Sequence, residues 1–431
     1  MRSFINQHAT FAAHPVAAAR YFALFILIIL PGTTLAQDVD LIIKGGHVID
    51  PKNNLNGVMD VAISGDSIVR VAADIPAGSA KKVIDARGLY VTPGLVDIHS
   101  HNYHGVNPDT EYNNGFNALK PDPFTLPSGV TTVVDAGSSG WRNFDHFRQQ
   151  VIDRAQTRVL AFINIVGHGM KGSPWEQDLN DMDPKLAALA ARRNRDIIVG
   201  VKLAHYNGNE WEQVDRLVEA GDLANIPVMV DFGGSNPPLS LEKLFMEKLR
   251  PGDIYTHVFG GGGRGRQAIV DENFKLRPFI PEAQKKGIIC DVGHGGASFF
   301  YRNAVPAMKA GFKPNTISTD SHVRSALSGM KSMTNVMSKM LNLGMSLQEV
   351  IEASTWAPAK VIKREDLGNL SAGMVADVTI LNLIKGKFGF LERSGGEKMF
   401  GDQKLEAEMT IRAGNIVWDL NGLAAEEYKP Q

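Results

Sequence analysis

The chain has 431 residues, with 45 Lys and Arg against 46 Asp and Glu and a formal net charge of −1. That balance leaves no basic surface excess for a nucleic acid and no acidic tail. A hydrophobic share of 44% and a charged share of 21% are those of an ordinary globular protein, long enough for one large barrel with a satellite.

The first 36 residues read as a secretory signal. Arg2 and Arg20 make a positive n-region, Tyr21 to Leu30 an apolar h-region, and Thr34-Leu35-Ala36 a small-residue cleavage site. The apolar run is short for a membrane span, so no stable span is expected after cleavage, with an uncleaved anchor as the alternative. Cleavage would remove two arginines and no acid, taking the net charge to −3. No cysteine follows the site, which excludes a bacterial lipoprotein, and the lone Cys290 excludes an intramolecular disulfide. The expected location is periplasmic or secreted.

Residues 39–53, 60–72 and 82–94 are short alternating runs split by Gly, Asn and Asp, the pattern of strands and hairpins. Residues 376–383 and 407–418 repeat the style. The economical reading is a small β-sandwich built from both termini, over 37–92 and 368–431. Between them eight apolar, β-branched runs begin at 95, 131, 159, 197, 226, 254, 288 and 316. Helix-like segments such as 211–224 and 301–311 separate several of them. Eight β-α units of this period predict a (β/α)8 TIM barrel over 93–367, class α/β. A doubly wound open sheet fits less well, because no glycine phosphate fingerprint follows the first strand.

In such a barrel the chemistry sits at the C-terminal strand ends. Of the ten histidines after the signal, eight lie at or just beyond predicted strand ends: His99, His101, His104, His168, His205, His257, His294 and His322. His99 and His101 are two apart on one strand and so share a face, where two imidazoles can bind one cation. His257 ends the sixth strand. Asp320 ends the eighth, which closes against the first. Lys202 ends the fourth, inside the apolar stretch IIVGVKLAHYNG. Burying an unpaired ammonium there would be costly. Pairing with Asp231 or Asp320 is one answer.

Taken in order, VTPGLVDIHSH, GVKLAH, YTHVF, DVGHGGASF and ISTDSH resemble the amidohydrolase superfamily. The resemblance is closest to its dihydroorotase-like, deacetylase-type metal-dependent hydrolases and runs from about 38 to 420. It implies the barrel with a β-sandwich. It implies that Lys202 is carboxylated by CO2 to N6-carboxylysine and bridges two divalent metal ions, usually zinc. The ligand set it implies is His99, His101, Lys202, His257 and Asp320. One departure stands out: the family usually has a histidine at the end of the fifth strand, where this chain has Asp231. A carboxylate can still bind zinc and suits manganese better than imidazole does. The alternative is a weak or missing second metal, with Asp231 only hydrogen-bonding.

The resemblance implies hydrolysis of an amide or ester by a metal-bridging hydroxide, with Asp320 as the general base and then the acid. His294 is the candidate for orienting the substrate or its oxyanion; the alternative is a structural histidine held by a neighbour such as Asp291. FGGGGRGR (259–266) is read as a loop at the mouth, because a P-loop signature is absent. Its Arg264 or Arg266 would pair with a substrate carboxylate. Asn102, Tyr103 and His104 are placed at the mouth, residues 106–127 shape the pocket, and Ser298 contacts the substrate. Cys290 is read as a buried thiol. Gly-x-Ser-x-Gly is absent, which argues against a serine hydrolase. The expected substrate is small: an N-acyl amino acid, an acylated hydroxy acid, a cyclic amide or a dipeptide. The rival readings are a mononuclear deaminase and a catalytically impaired binding protein on the same barrel. The relatives often form homo-oligomers, and nothing in this chain decides that point.

Overall fold

The computed structural model describes residues 39–105, 117–172, 174–263 and 265–430. The predicted leader, 1–36, lies outside the described residues. The chain opens with β1 (Val39–Asp50), β2 (Leu55–Ser64), β3 (Ser67–Ala72), β4 (Ala80–Asp85) and β5 (Tyr90–Pro93). β1 is antiparallel to β2, and its register slips between Ile43 and Gly46. Its first half pairs β4 in parallel and its second half pairs β5. The Gly-Gly pair sits at that change of partner. A Cβ on Gly46 would lie 2.4 Å from Val91 Cγ2, so only glycine lets β5 close in.

The barrel follows. β6 (Leu95–Ser100), β7 (Val130–Gly140), β8 (Arg158–Asn164), β9 (Ile198–Ala204), β10 (Val228–Asp231), β11 (Ile254–Tyr255) and β12 (Ile289–Cys290) are parallel neighbours in chain order. The eighth predicted strand, 316–321, is not a regular strand. It bridges both open edges instead, Asp291 to Thr316 on one side and Ser100 to Ser321 on the other, both in parallel. Val292 N donates to Thr316 O at 3.1 Å and His101 N to Ser321 O at 2.9 Å, which closes the ring. The (β/α)8 expectation therefore holds in topology. The departure has a cause: Asp320 takes φ 51°, outside the range of an extended strand. Both helix-like segments form helices, Glu212–Ala224 and Tyr301–Lys309.

Val96, Ile98, Val134, Ala136, Leu160, Phe162 and Met229 form one cluster from alternate strand positions, the barrel interior. On β6 this parity would carry on to Ser100. A register irregularity between Asp97 and Ser100 breaks it, and His99 and His101 turn into the mouth together.

β13 (Val378–Leu391), β14 (Lys398–Arg412) and β15 (Asn415–Asp419) complete the first sheet in the order β15-β14-β13-β5-β1-β2-β3. Both termini thus build the small domain, around a core that includes Ile43, Val61, Ile380 and Ile411. β13 and β14 run well beyond the expected 376–383 and 407–418. They form a ribbon that leaves the small domain and reaches the barrel. At its tip Phe390 O accepts from Tyr301 Oη (2.9 Å), and Leu391 O from Lys339 Nζ (2.6 Å). Among the described residues no helix is long and apolar enough to cross a membrane.

Candidate metal centre

Five strand ends deliver polar groups to one point. His99 Nε2 lies 3.6 Å and His101 Nε2 3.1 Å from Asp320 Oδ1. His257, just past β11, places Nε2 3.2 Å from Asp231 Oδ2 and 4.0 Å from Asp320 Oδ2. Lys202 Nζ is 3.1 Å from His99 Nε2 and 3.9 Å from Asp231 Oδ2. All six side chains are buried, Lys202 completely. His99, His257 and Asp320 present donor atoms all within 4.8 Å of one another.

Hydroxyl relays set the imidazoles. Thr256 Oγ1 donates to Asp291 Oδ2 at 2.7 Å, so towards His99 Nδ1, 2.9 Å away, it can only accept. His99 therefore carries its proton on Nδ1 and turns the Nε2 lone pair inward. His101 repeats the device: Nδ1 is 3.1 Å from Ser138 Oγ, and Ser138 gives both its amide and its hydroxyl to Asp135. His257 Nδ1 donates to Gly293 O. A hydroxyl backed by a carboxylate, or a carbonyl, on the outer ring nitrogen orients each histidine as the outer partners of metal-binding histidines do.

The strand ends are also unusual in backbone. His205, His257 and Asp320 have φ of 58°, 61° and 51°. Each costs of order 1 kcal/mol or more, which the surrounding structure must outweigh. Gly137 lets β7 pass close to Lys202: a Cβ there would meet Lys202 Cγ at 2.8 Å.

Electrostatics match this geometry. Burial, reinforced by Lys202, holds the His99 imidazole well below its ordinary pKa and so neutral. Burial alone would raise the Asp320 carboxyl, but the facing imidazoles of His99, His101 and His322 outweigh it and hold the group well below the carboxylate range. Asp231 is likewise held low, with His257 and Arg266 overcoming burial. Burial pushes the Lys202 ammonium down, against the pull of Asp231 and Asp320. The Asp320 carboxylate thus faces the inward Nε2 lone pair of His99. Lone pair against anion is repulsive unless a cation stands between them. Asp231 Oδ1 is a buried oxygen without a hydrogen bond, although Arg266 Nη2 stands 3.3 Å away in ion-pair geometry. The donor set fits a divalent cation.

The remaining expected residues fall on both sides of this group. Arg266 and Ser298 line a cavity of about 530 Å3 at the mouth, together with His205. A larger cavity, about 660 Å3, is lined by Pro227, Asp253 and Asn315, which precede the strands, and holds none of these groups. His294 is corrected. Its Nδ1 bonds Gly295 O (2.9 Å), its Nε2 meets Lys339 Nζ (2.6 Å), and its ring stacks on Phe299. Fully buried and with both nitrogens engaged, it has no polar atom left for a substrate. Asp291 does not hold it, being occupied by Thr256, Thr316 and Ser318. His104 is not in the converging group. Arg264 lies outside the described residues, as does the 106–116 part of 106–127. Cys290 is buried, as expected, and burial raises its thiol to about 12.

Sequence reasoning passed over several neighbours of the centre. His205 Nδ1 pairs with the buried Glu176 at 2.9 Å, and its Nε2 lies 3.5 Å from Asp231 Oδ2. His322 Nε2 is 3.9 Å from Asp320 Oδ2. Both belonged to the strand-end histidines, so a signal existed. Thr256, Ser138 and Glu176 carried none.

A model of the amidohydrolase family matches residues 294–417. A deacetylase of Agrobacterium fabrum is 33% identical over 333 residues, 75% of this chain and 78% of that protein. A deacetylase of Enterococcus faecalis is 31% identical over 390 residues, 88% of this chain and 99% of its own length. Among solved structures, an adenine deaminase superposes with a TM-score of 0.79 at 29% identity, covering 89% of this chain and all of that one. A dihydroorotase gives 0.74 at 28%, covering 90% and all of that chain. With its closed barrel, its terminal sheet and a buried His–Asp group fit for a metal, the chain belongs to the amidohydrolase superfamily.

Proposed function

We propose that the protein is an exported metal-dependent deacetylase. It would cleave the acyl amide or ester of a small carboxylate-bearing molecule, such as an N-acyl amino acid or acylated hydroxy acid. The observation that carries this reading is the buried convergence of His99, His101, His257 and Asp320 beside Lys202. The likeness to two deacetylases over three quarters or more of the chain supports it. The leader-like 1–36 supports export to the periplasm or beyond.

His99, His101 and Asp320 would hold one ion. Asp231 and His257 would hold a second, with Lys202 as N6-carboxylysine between the two; zinc suits the imidazoles and manganese the carboxylates. The depressed Lys202 ammonium favours the neutral amine, the form that adds CO2. Bound divalent ions supply Lewis acidity and lower the pKa of water. Asp320 takes the water proton on a carboxylate oxygen and returns it to the leaving nitrogen or oxygen. His322 faces Asp320 Oδ2 and steadies it. Its Nδ1 accepts from Ser325 N, which leaves the proton on Nε2. Arg266, at the cavity wall, orients the substrate carboxylate.

The test is a turnover panel of N-acetyl amino acids, acetylated hydroxy acids, dipeptides and cyclic ureides on metal-loaded protein, before and after chelation. Chelator-sensitive turnover of an acetyl compound supports the reading; no turnover of any member overturns it. Deamination is the second reading, favoured by the structural likeness to an adenine deaminase. Adenine belongs in the same panel, with ammonia release as its readout.

A further inference from the structure

The cavity at the mouth is more cationic than one substrate carboxylate requires. Arg266 and His205 join it to the centre, because each also touches Asp231. Arg302 and Arg393 line it as well and touch no group of the centre. Arg302 follows β12, at the start of the helix Tyr301–Lys309, and Arg393 comes from the tip of the β13–β14 ribbon. The two come from elements about ninety residues apart in sequence, yet both guanidiniums lie over the ring of Phe300, at 4.8 and 5.5 Å from its centroid.

Arg302 has no carboxylate partner among the described residues, and Arg393 pairs with Glu392 through Nε alone. Arg302 Nη2 gives one long bond, 3.3 Å, to Gly262 O. Arg393 Nε is a buried atom without a hydrogen bond, 3.4 Å from Glu392 Oε1. Glu392 directs its other oxygen to Tyr301 N at 2.9 Å. Each guanidinium has five donors, so most remain available. Glu392 offsets one of the two positive charges that share the ring, and the other has no carboxylate beside it among the described residues. The ribbon tip is held in place by Lys339, whose Nζ bonds Leu391 O, so Arg393 is presented by a fixed element.

We propose that Arg302 and Arg393 clamp a second carboxylate, at the end of the substrate remote from the scissile acyl bond. The preferred substrates are then acylated dicarboxylates, of the N-acyl acidic amino acid class. This rests on the proposed hydrolase reading for the scissile bond. It does not rest on it for the binding of the anion. Planar guanidinium forks match carboxylates, and Phe300 orients both.

The experiment uses the full metal-loaded chain. Calorimetry compares glutarate with butyrate, and kinetics compare kcat/KM for N-acetylglutamate with N-acetylglutamine, in wild type, Arg302→Gln, Arg393→Gln and Arg393→Lys. The expected result is a roughly tenfold preference for each dicarboxylate, the scale of one charge-assisted pair. That preference falls towards unity in either Gln variant and partly survives in Arg393→Lys. Equal binding of glutarate and butyrate by the wild type overturns the clamp, even if both amides are hydrolysed. Arginine-dependent glutarate binding without turnover of either amide keeps the clamp and overturns the hydrolase reading. A preference that persists in both Gln variants places the anion elsewhere and overturns the assignment.

Discussion

Thr256→Val removes one hydroxyl and almost no volume. Thr256 is buried between His99 Nδ1 at 2.9 Å and Asp291 Oδ2 at 2.7 Å. Valine would leave the His99 N–H without an acceptor and Asp291 with two hydroxyl donors instead of three. Each buried orphan costs about 1–3 kcal/mol. Part of the cost can be relieved if His99 moves its proton to Nε2, which would point a proton at the metal position. The expected loss of metal affinity is therefore about 10–100-fold, or roughly 1.4–2.7 kcal/mol. Competition with a chromophoric chelator measures it on stripped and reloaded protein. Thr256→Ser keeps the hydroxyl and should stay close to wild type. Affinity unchanged in the valine variant, or lowered equally in both, would refute the relay.

Lys202→Ala should bind fewer metal ions per chain by mass spectrometry than wild type, and short carboxylic acids added at millimolar concentration should partly restore turnover. A metal count equal to wild type would remove Lys202 from the centre. Gly137→Ala places a Cβ 2.8 Å from Lys202 Cγ at φ 89°, a strain of about 1–3 kcal/mol or more. Its metal content and kcat should fall together, and normal values of both would show that Lys202 can shift freely. Cys290 should resist thiol reagents at pH 8 until guanidinium unfolds the chain, because burial raises its thiol to about 12. The sign follows from proton counting. Between the unfolded thiol value of ~8.5 and about 12 the folded state keeps a proton that the unfolded state releases, so stability is intact below ~8.5 and falls as pH rises through that window. In Cys290→Ala that alkaline decline should be shallower in denaturant titrations. Equal slopes would mean that the thiol is not shielded.

The barrel and the residues of the converging group were legible because their signals are local. Strand period, apolar runs and a charged or imidazole residue at a strand end can all be read along the chain. His99, His101, Lys202, His257 and Asp320 were found that way. What escaped depends on contacts between distant segments. Thr256 matters because Asp291 lies 2.7 Å from it, and no spacing announces that pair. Ser138 is one of two adjacent serines near the end of β7 until it is seen under His101. His294 looked like its neighbours at the strand ends, but Lys339, forty-five residues on, occupies its free nitrogen. The ribbon tip with Arg393 was hidden because 384–406 lacks a clean alternation, and β13 shifts register there between Lys385 and Phe388.

Asp231 ties these threads together. A carboxylate where the resembling family has histidine adds a negative charge to a buried site, and the structure answers with Arg266 Nη2 at 3.3 Å. If the two are a matched pair, restoring histidine alone should harm the centre. Asp231→His would leave the Arg266 guanidinium facing an imidazole and the metal position without its counter-charge. Breaking a buried ion pair costs roughly 3–5 kcal/mol, less here because Arg266 keeps a quarter of its side chain exposed. The single variant should therefore bind fewer ions per chain than wild type, and Asp231→His with Arg266→Gln should recover them. A single variant that binds metal as well as wild type would show that Asp231 and Arg266 are independent, and that the carboxylate is tolerated at this position rather than compensated.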